Sequence, residues 1–284
     1  MELNLSLDTV RACGVDIVSI SPDSVENLRA FAEANGISFP MLSDVGAHVI
    51  DAFGVRNPLF DALPLDVGVP YPQRGIPYPG HFLLGPDHVI VDKRFTGDLR
   101  HRASGTMLVQ RRLGPGAGSA GVEIVTGELR ATIRLSAGWA FGGQELGVTA
   151  DLHVAPGWHV YGDPTGPPYT PLGIVFDEEL VADQSMEFPP AAPTPMPSSP
   201  EELFAHHGDL RGHGRVRIRW NPVASNLSAE NPFAGIQVPT GNQVLRGRLV
   251  YQACDGAVCL APRSIAFEIS LRVHDNLTYA VPGR

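Results

Sequence analysis

The spacing of apolar residues changes once along this chain, and the change falls beside a run of glycines. Before Gly114-Pro115-Gly116-Ala117-Gly118-Ser119-Ala120-Gly121, short β-branched runs alternate with helical patterns. After it, apolar residues recur at every second position. A period of 3.6 and a period of two cannot share one element type. The chain is therefore read as an α/β layer structure followed by an all-β sandwich.

In the first part, Val15–Ile20 reads as a buried strand. Asp23-Ser24-Val25-Glu26 has the pattern of a capping box, with Asp23 as acceptor and Glu26 reaching back. Val25, Leu28 and Ala32 follow at helical spacing, and Gly36 supplies the stop. Ser43 and Asp44 open a second helix through Val49, Ile50 and Phe53 to Gly54. His81–Leu84 and Val89–Val91, joined by Gly85-Pro86-Asp87-His88, read as a β-hairpin.

In the second part, Val122–Leu135 alternates like a strand, with Leu129, Ala131, Ile133 and Leu135 on one side. Leu146, Val148, Ala150, Leu152 and Val154 repeat the pattern. So do Val216, Ile218 and Trp220, interleaved with Arg215, Arg217 and Arg219, and then Ile265, Phe267, Ile269, Leu271 and Val273. Pro189–Pro200 holds six prolines and reads as a long extended surface loop. Gly116, Gly118 and Gly121 nominally fit a dinucleotide fingerprint, but a strand rather than a helix follows them. The stretch is a linker by composition.

Composition narrows the function classes. The net charge is −9, with Lys93 the single lysine, which argues against a phosphate-backbone or other nucleic-acid binder. No apolar run approaches the roughly 20 residues that span a bilayer, so no membrane insertion by this chain is expected. Met1-Glu2-Leu3-Asn4 lacks the basic start and apolar run of an export signal. No cofactor and no metal are expected.

Three cysteines are present: Cys13, and the close pair Cys254 and Cys259. The pair lies between Leu245–Ala253 and Ile265–Val273, around Asp255-Gly256, a strong turn signal, so the two sulfurs should face each other across a hairpin loop. The alternation puts Cys254 with Arg246 and Arg248, but Cys259 with Ile265 and Phe267. A bulge is therefore required, with Pro262 its expected place. A small ring constrains the unfolded chain little, which favours redox use. A structural bridge and a metal half-site stay open. His206, His207 and His213 are clustered in Gly-rich sequence and read as solvated.

Tyr251-Gln252-Ala253-Cys254-Asp255-Gly256-Ala257-Val258-Cys259-Leu260-Ala261-Pro262 resembles the cysteine segment of the amino-terminal domain of DsbD-type thiol:disulfide interchange proteins. Ala155-Pro156-Gly157-Trp158-His159-Val160-Tyr161, followed by Pro171-Leu172, resembles an earlier landmark of the same family. The resemblance implies an immunoglobulin-like sandwich over 127–275, with Cys254 and Cys259 as the redox couple exchanging electrons with a thioredoxin-like redox protein. Tyr161 and Tyr169 would cover the pair. Asp255 would oppose the thiolate or manage a proton, and Arg246, Arg248 and Arg263 could supply positive charge. The family implies a periplasmic setting, while the missing signal implies a cytoplasmic one.

Val15–Asp23, Phe39–Asp44 and Tyr78-Pro79-Gly80-His81-Phe82-Leu83-Leu84 resemble the AhpC/TSA redoxins, which are peroxiredoxin-like and thioredoxin-fold. This resemblance implies a thioredoxin-like domain over 1–112, incomplete at its N-terminus, with a linker over 113–126 and a tail over 276–284. Pro79 would hold the cis-proline place beside the active site. The family's first strand and peroxidatic cysteine would precede Met1, so a start placed too far downstream is favoured and no peroxidase cycle is assigned. Cys13 lies in a turn and cannot replace the missing cysteine. The function expected is a thiol–disulfide oxidoreductase. Its rival is a non-enzymatic binding module with a structural disulfide and a degenerate redoxin.

Overall fold

A computed structural model describes residues 2–61, 75–97, 102–107, 120–195, 203–219, 221–222, 236–237, 240–255 and 257–274. The chain forms two compact units that divide near residue 110.

In the first unit, helix Glu2–Ala12 buries Leu7 and Val10, and strand Ser19–Ser21 runs parallel to Met41–Ser43. Helix Val25–Asn35 crosses between these strands, as parallel pairing requires. The first strand is shorter than Val15–Ile20, because Val15 N–H still bonds back to Val10 O and only Ser19–Ser21 finds a partner strand. The helix cap also shifts by one residue. Ser24 is extended and its hydroxyl accepts from Asn27 N–H, while Asp23 accepts from the Ser21 hydroxyl. Gly36 ends the helix in the left-handed conformation, at φ 59°. Helix His48–Ala52 starts where the Asp44 carboxylate accepts from Val49 and Ile50 N–H.

Strands Gly80–Leu84 and Ile90–Phe95 form the expected antiparallel hairpin. Phe82 stacks between Phe53 and Phe95, with ring centroids 5.1 and 4.7 Å away.

The second unit is a sandwich. One sheet runs in the order Val181–Glu187, Asp209–Ile218, Gln144–Val154, Leu129–Leu135, Gly121–Val125. The other runs Gly173–Phe176, Gly241–Tyr251, Arg263–His274, Trp139–Phe141. Period-two alternation sends Leu129, Ile133, Leu146, Val148, Val216, Leu245, Leu249, Ile269 and Leu271 into one core between them. Gly121–Val125 pairs with Leu129–Leu135, so the expected linker is shorter at this end. Val122 and Ile124 supply the alternation that draws these residues into the sheet. Residues 113–119 lie outside the described residues, as does Trp220.

A third, small sheet positions the cysteines. Its order is Ala192–Thr194, Leu203–His206, His159–Tyr161, Ala253–Cys254. Its first strand corrects the reading of Pro189–Pro200 as loop throughout. Pro193 can be accommodated because this is an edge strand, where one side of the backbone needs no donor. Val160 lies opposite Ala253, and both join the sandwich core. His159, Tyr161 and Cys254 lie on the other face.

Candidate functional site: the Cys254–Cys259 hairpin

The long ladder between Gly241–Tyr251 and Arg263–His274 ends at the pair Tyr251–Arg263. Beyond it the hairpin leaves this sheet and joins His159–Tyr161, with Cys254 opposite His159. Cys254 also bridges to Cys259, and Leu260 N–H donates to Ala253 O. From Tyr251/Arg263 to Cys254/Cys259, two residues on one side oppose three on the other. The extra residue falls in 260–262, the stretch that holds Pro262. That offset turns the cysteines off the axis of the long strands.

Cys254 and Cys259 form a disulfide with a Cα–Cα distance of 4.2 Å. Their environments differ. Cys254 has 0% of its surface accessible, whereas Cys259 is exposed at the end of the turn. The Tyr161 hydroxyl lies 3.1 Å from Cys254 Sγ and 3.5 Å from Cys259 Sγ, and with the sulfurs bonded to each other the hydroxyl is the donor. Tyr169 packs on Tyr161, with ring centroids 4.7 Å apart. Burial first, and then Tyr169, raise the Tyr161 phenol above its ordinary range, so it stays a donor at neutral pH.

The segment that carries Tyr169 is tied on both sides. Thr165 Oγ1 and Phe204 exchange bonds, Gly162 N–H donates to Phe204 O, and Thr170 N–H donates to the Gln252 side chain. It holds two cis peptide bonds, Asp163–Pro164 and Pro167–Pro168.

Asp255 sits in the turn and is exposed. Its Oδ1 accepts from Ala257 N–H at 3.0 Å and Val258 N–H at 2.8 Å, an Asx turn. Those backbone bonds hold its carboxyl below the usual range. Arg246 and Arg263 do not serve the sulfurs. Arg246 pairs with Glu268 and Glu179, and Arg263 pairs with the buried Glu128 at 3.1 Å. Tyr251 O–H also donates to Glu128, at 2.6 Å, so a satisfied buried carboxylate anchors the base of the hairpin.

Sequence reasoning passed over His159 and misplaced His206. His159 is 5% exposed beside Cys254 in register, and its Nε2 has no hydrogen-bond partner among the described residues. His206 is buried against Phe188 rather than solvated, because it lies opposite Val160 on the inward side of the sheet. His207 and His213 are exposed. The strand period around Trp158–Tyr161 could have flagged His159, since it shares the face of Tyr161.

Pro79 precedes the first-unit hairpin as expected, but its peptide bond is trans. Tyr78 N–H donates to Val55 O, and Pro79 O accepts from Thr96, so extended pairing continues straight through the bond. Cys13 is a free thiol in the turn after the first helix, where its N–H bonds to Val10 O. Among the described residues, no cluster of three or more His, Cys, Asp or Glu is arranged to hold a metal ion. No described helix is long and apolar enough to cross a membrane.

Comparison with known proteins places the first unit. Residues 1–93 match the AhpC/TSA family. Peroxiredoxin Q of Sedum lineare is 39% identical over 59 residues, which are 21% of this chain and 32% of that protein. Peroxiredoxin Bcp of Escherichia coli is 40% identical over 50 residues, 18% of this chain and 32% of that protein. The chain thus spans about a third of the length of these curated relatives. Among solved structures, the N-terminal periplasmic domain of ScsB from Proteus mirabilis is similar at 12% identity and a TM-score of 0.37, over 55% of this chain and 52% of that one. Residues 1–93 are accordingly a thioredoxin-like redoxin segment of the AhpC/TSA family, followed in this chain by the strand-rich unit that carries the cysteine pair.

Proposed function

We propose that this chain is a thiol–disulfide oxidoreductase whose working couple is Cys254–Cys259. The observation that carries the reading is the asymmetry of the two sulfurs: one exposed, one fully buried, with a tyrosine hydroxyl against both. A thiolate of a thioredoxin-like partner attacks Cys259 Sγ. The bond to Cys254 breaks, a mixed disulfide forms on Cys259, and Cys254 leaves as a thiolate that accepts the Tyr161 hydrogen bond. The partner's second thiol then attacks its own sulfur in the mixed disulfide and releases Cys259. Two electrons and two protons move in total. The AhpC/TSA segment on the same chain supports a thiol redox role in general.

The competing reading is a binding module stapled by a structural disulfide. The reduction potential separates the two, measured by differential alkylation and mass spectrometry across a glutathione and dithiothreitol series. A midpoint between roughly −120 and −280 mV supports exchange, whereas one below about −300 mV marks a staple. Trapping supplies the second arm. Offered a thioredoxin-like protein in its disulfide form, Cys254→Ser should accumulate a mixed disulfide on Cys259, whose thiolate opens the partner's disulfide with no Cys254 thiol left to resolve the product. Failure of Cys259 to capture that protein would count against the assigned order of attack.

A further inference from the structure

We propose that His159 is the proton acceptor coupled to the Cys254–Cys259 couple, charging its imidazole as the disulfide opens while Cys254 stays a thiolate. The proposal rests on the exchange reading above and adds a residue to it.

Three placements carry it. His159 and Cys254 are directly opposed across an antiparallel pair, which puts their Cβ atoms roughly 4.5–5.5 Å apart on one face. Tyr161, two residues on, shares that face and already touches both sulfurs, with its ring 5.9 Å from the His159 ring. His159 Nε2 is buried and has no partner among the described residues, a rare condition for a polar atom that only packs. A buried donor or acceptor without a partner is costly, and a new charge beside it would change its preferred state.

The groups that face His159 set its resting charge. From the Leu203–His206 strand, His207 follows with its ring 5.5 Å away, and its own Nε2 lies 3.2 Å from Thr194 Oγ1. From the hairpin come Cys254 and Asp255, and from its own strand Tyr161, on which Tyr169 of the covering segment packs. With the sulfurs bonded, burial is the leading influence and His207 the second, and both hold the imidazole below its usual range, with Asp255 acting the other way. The disulfide form therefore carries a neutral His159.

Reduction adds a buried negative charge beside it. Partner dithiol plus disulfide plus neutral His159 gives partner disulfide, Cys259 thiol, Cys254 thiolate and protonated His159. The partner's two protons end on Cys259 and His159, so electrons and protons balance. His159 acts on the sulfur through its field rather than by contact and is a positioning residue.

The test is histidine C2–H chemical shift against pH on the full chain, from about pH 5 to about pH 9. It is run with the disulfide intact and after complete reduction by a phosphine, and the His159 signal is assigned by its loss in His159→Gln. The expected result is a His159 midpoint at least one pH unit higher in the dithiol form. His159→Gln should also lower the thiolate absorbance of the reduced protein at neutral pH and shift the glutathione equilibrium about tenfold toward the disulfide, about 30 mV for two electrons. An unchanged midpoint between the two forms overturns the proposal even if exchange is rapid. A raised midpoint in a protein whose disulfide glutathione cannot open upholds the coupling and instead removes the exchange reading. The wild-type titration needs no variant to fold, and His159→Asn serves for assignment if the glutamine variant does not.

Discussion

Tyr161 reaches both sulfurs from a strand 93 residues away in sequence from Cys254, and its phenol is held neutral by burial. When Cys254 becomes a thiolate, that hydroxyl is the donor in place to satisfy it. A hydrogen bond to a charged acceptor contributes about 1.5–3 kcal/mol. Tyr161→Phe should therefore raise the Cys254 thiol pKa and lower the ratio of dithiol to disulfide at a fixed glutathione poise by about ten- to a hundredfold, read by alkylation and mass spectrometry. Replacement by alanine removes cover as well, and should speed oxidation of the dithiol. Tyr251 illustrates a different use of the same side chain. Burial and its bond to Glu128 push it up to about 12. Its folded value lies above the unfolded one, so its stabilisation is complete below about pH 10 and is lost as pH rises toward 12. Urea midpoints should fall across that window in the wild type, and the fall should be smaller in Tyr251→Phe. Both tyrosines were visible in the sequence. Tyr161 was named for the site, but the partner of Tyr251 was not, because Glu128 is brought to it by the sandwich and not by any local spacing.

At the scale of the element, the strands follow directly from alternation, and their ends do not. Val15–Ile20 looks like a strand by composition, yet only Ser19–Ser21 pairs, because a strand exists only where a neighbour supplies hydrogen bonds. The bulge near Pro262 was legible, since a parity mismatch between two strands of one hairpin leaves no other solution. The sheet that carries the cysteines was not legible, because its four strands span only two to four residues each and come from distant segments. Close strand packing can be tested away from the site. A Cβ at Gly214 would collide with Ser185 O and crowd the Met186 backbone on the neighbouring strand. Gly214→Ala should cost about 1–3 kcal/mol in urea unfolding, with the Cys254–Cys259 midpoint unchanged. A shifted midpoint would mean that the site depends on the far sheet more than its contacts indicate.

At the scale of the molecule, the second unit is held by one continuous apolar core, with the disulfide at its margin. Closing so short a loop stabilises by about 2 kcal/mol at most in the chain-entropy account. Ile133 is wholly buried in the core, and truncating such a side chain to alanine costs about 2–5 kcal/mol. Ile133→Ala should therefore destabilise the sandwich more than the Cys254→Ser, Cys259→Ser double variant, compared by urea unfolding of each protein. The reverse order would return the disulfide to a structural role and count against exchange as its purpose. The first unit contributes family identity over residues 1–93, and its cysteine, Cys13, is placed by a turn rather than by a site.

The amino-acid sequence by itself determined the order of an α/β unit and a β-sandwich, the inward residues of the long strands, and the hairpin that sets Cys254 opposite Cys259. Each of these depends on periodicity or on turn chemistry within a few residues, which is local information. The tertiary structure alone decided which sulfur is buried, that Tyr161 touches both, that Glu128 anchors the hairpin base, and that His159 lies beside Cys254 with an unpartnered nitrogen. Those outcomes depend on which distant strands meet. Strand pairing is settled by the packing of the whole core, so no window of sequence around either cysteine contains it.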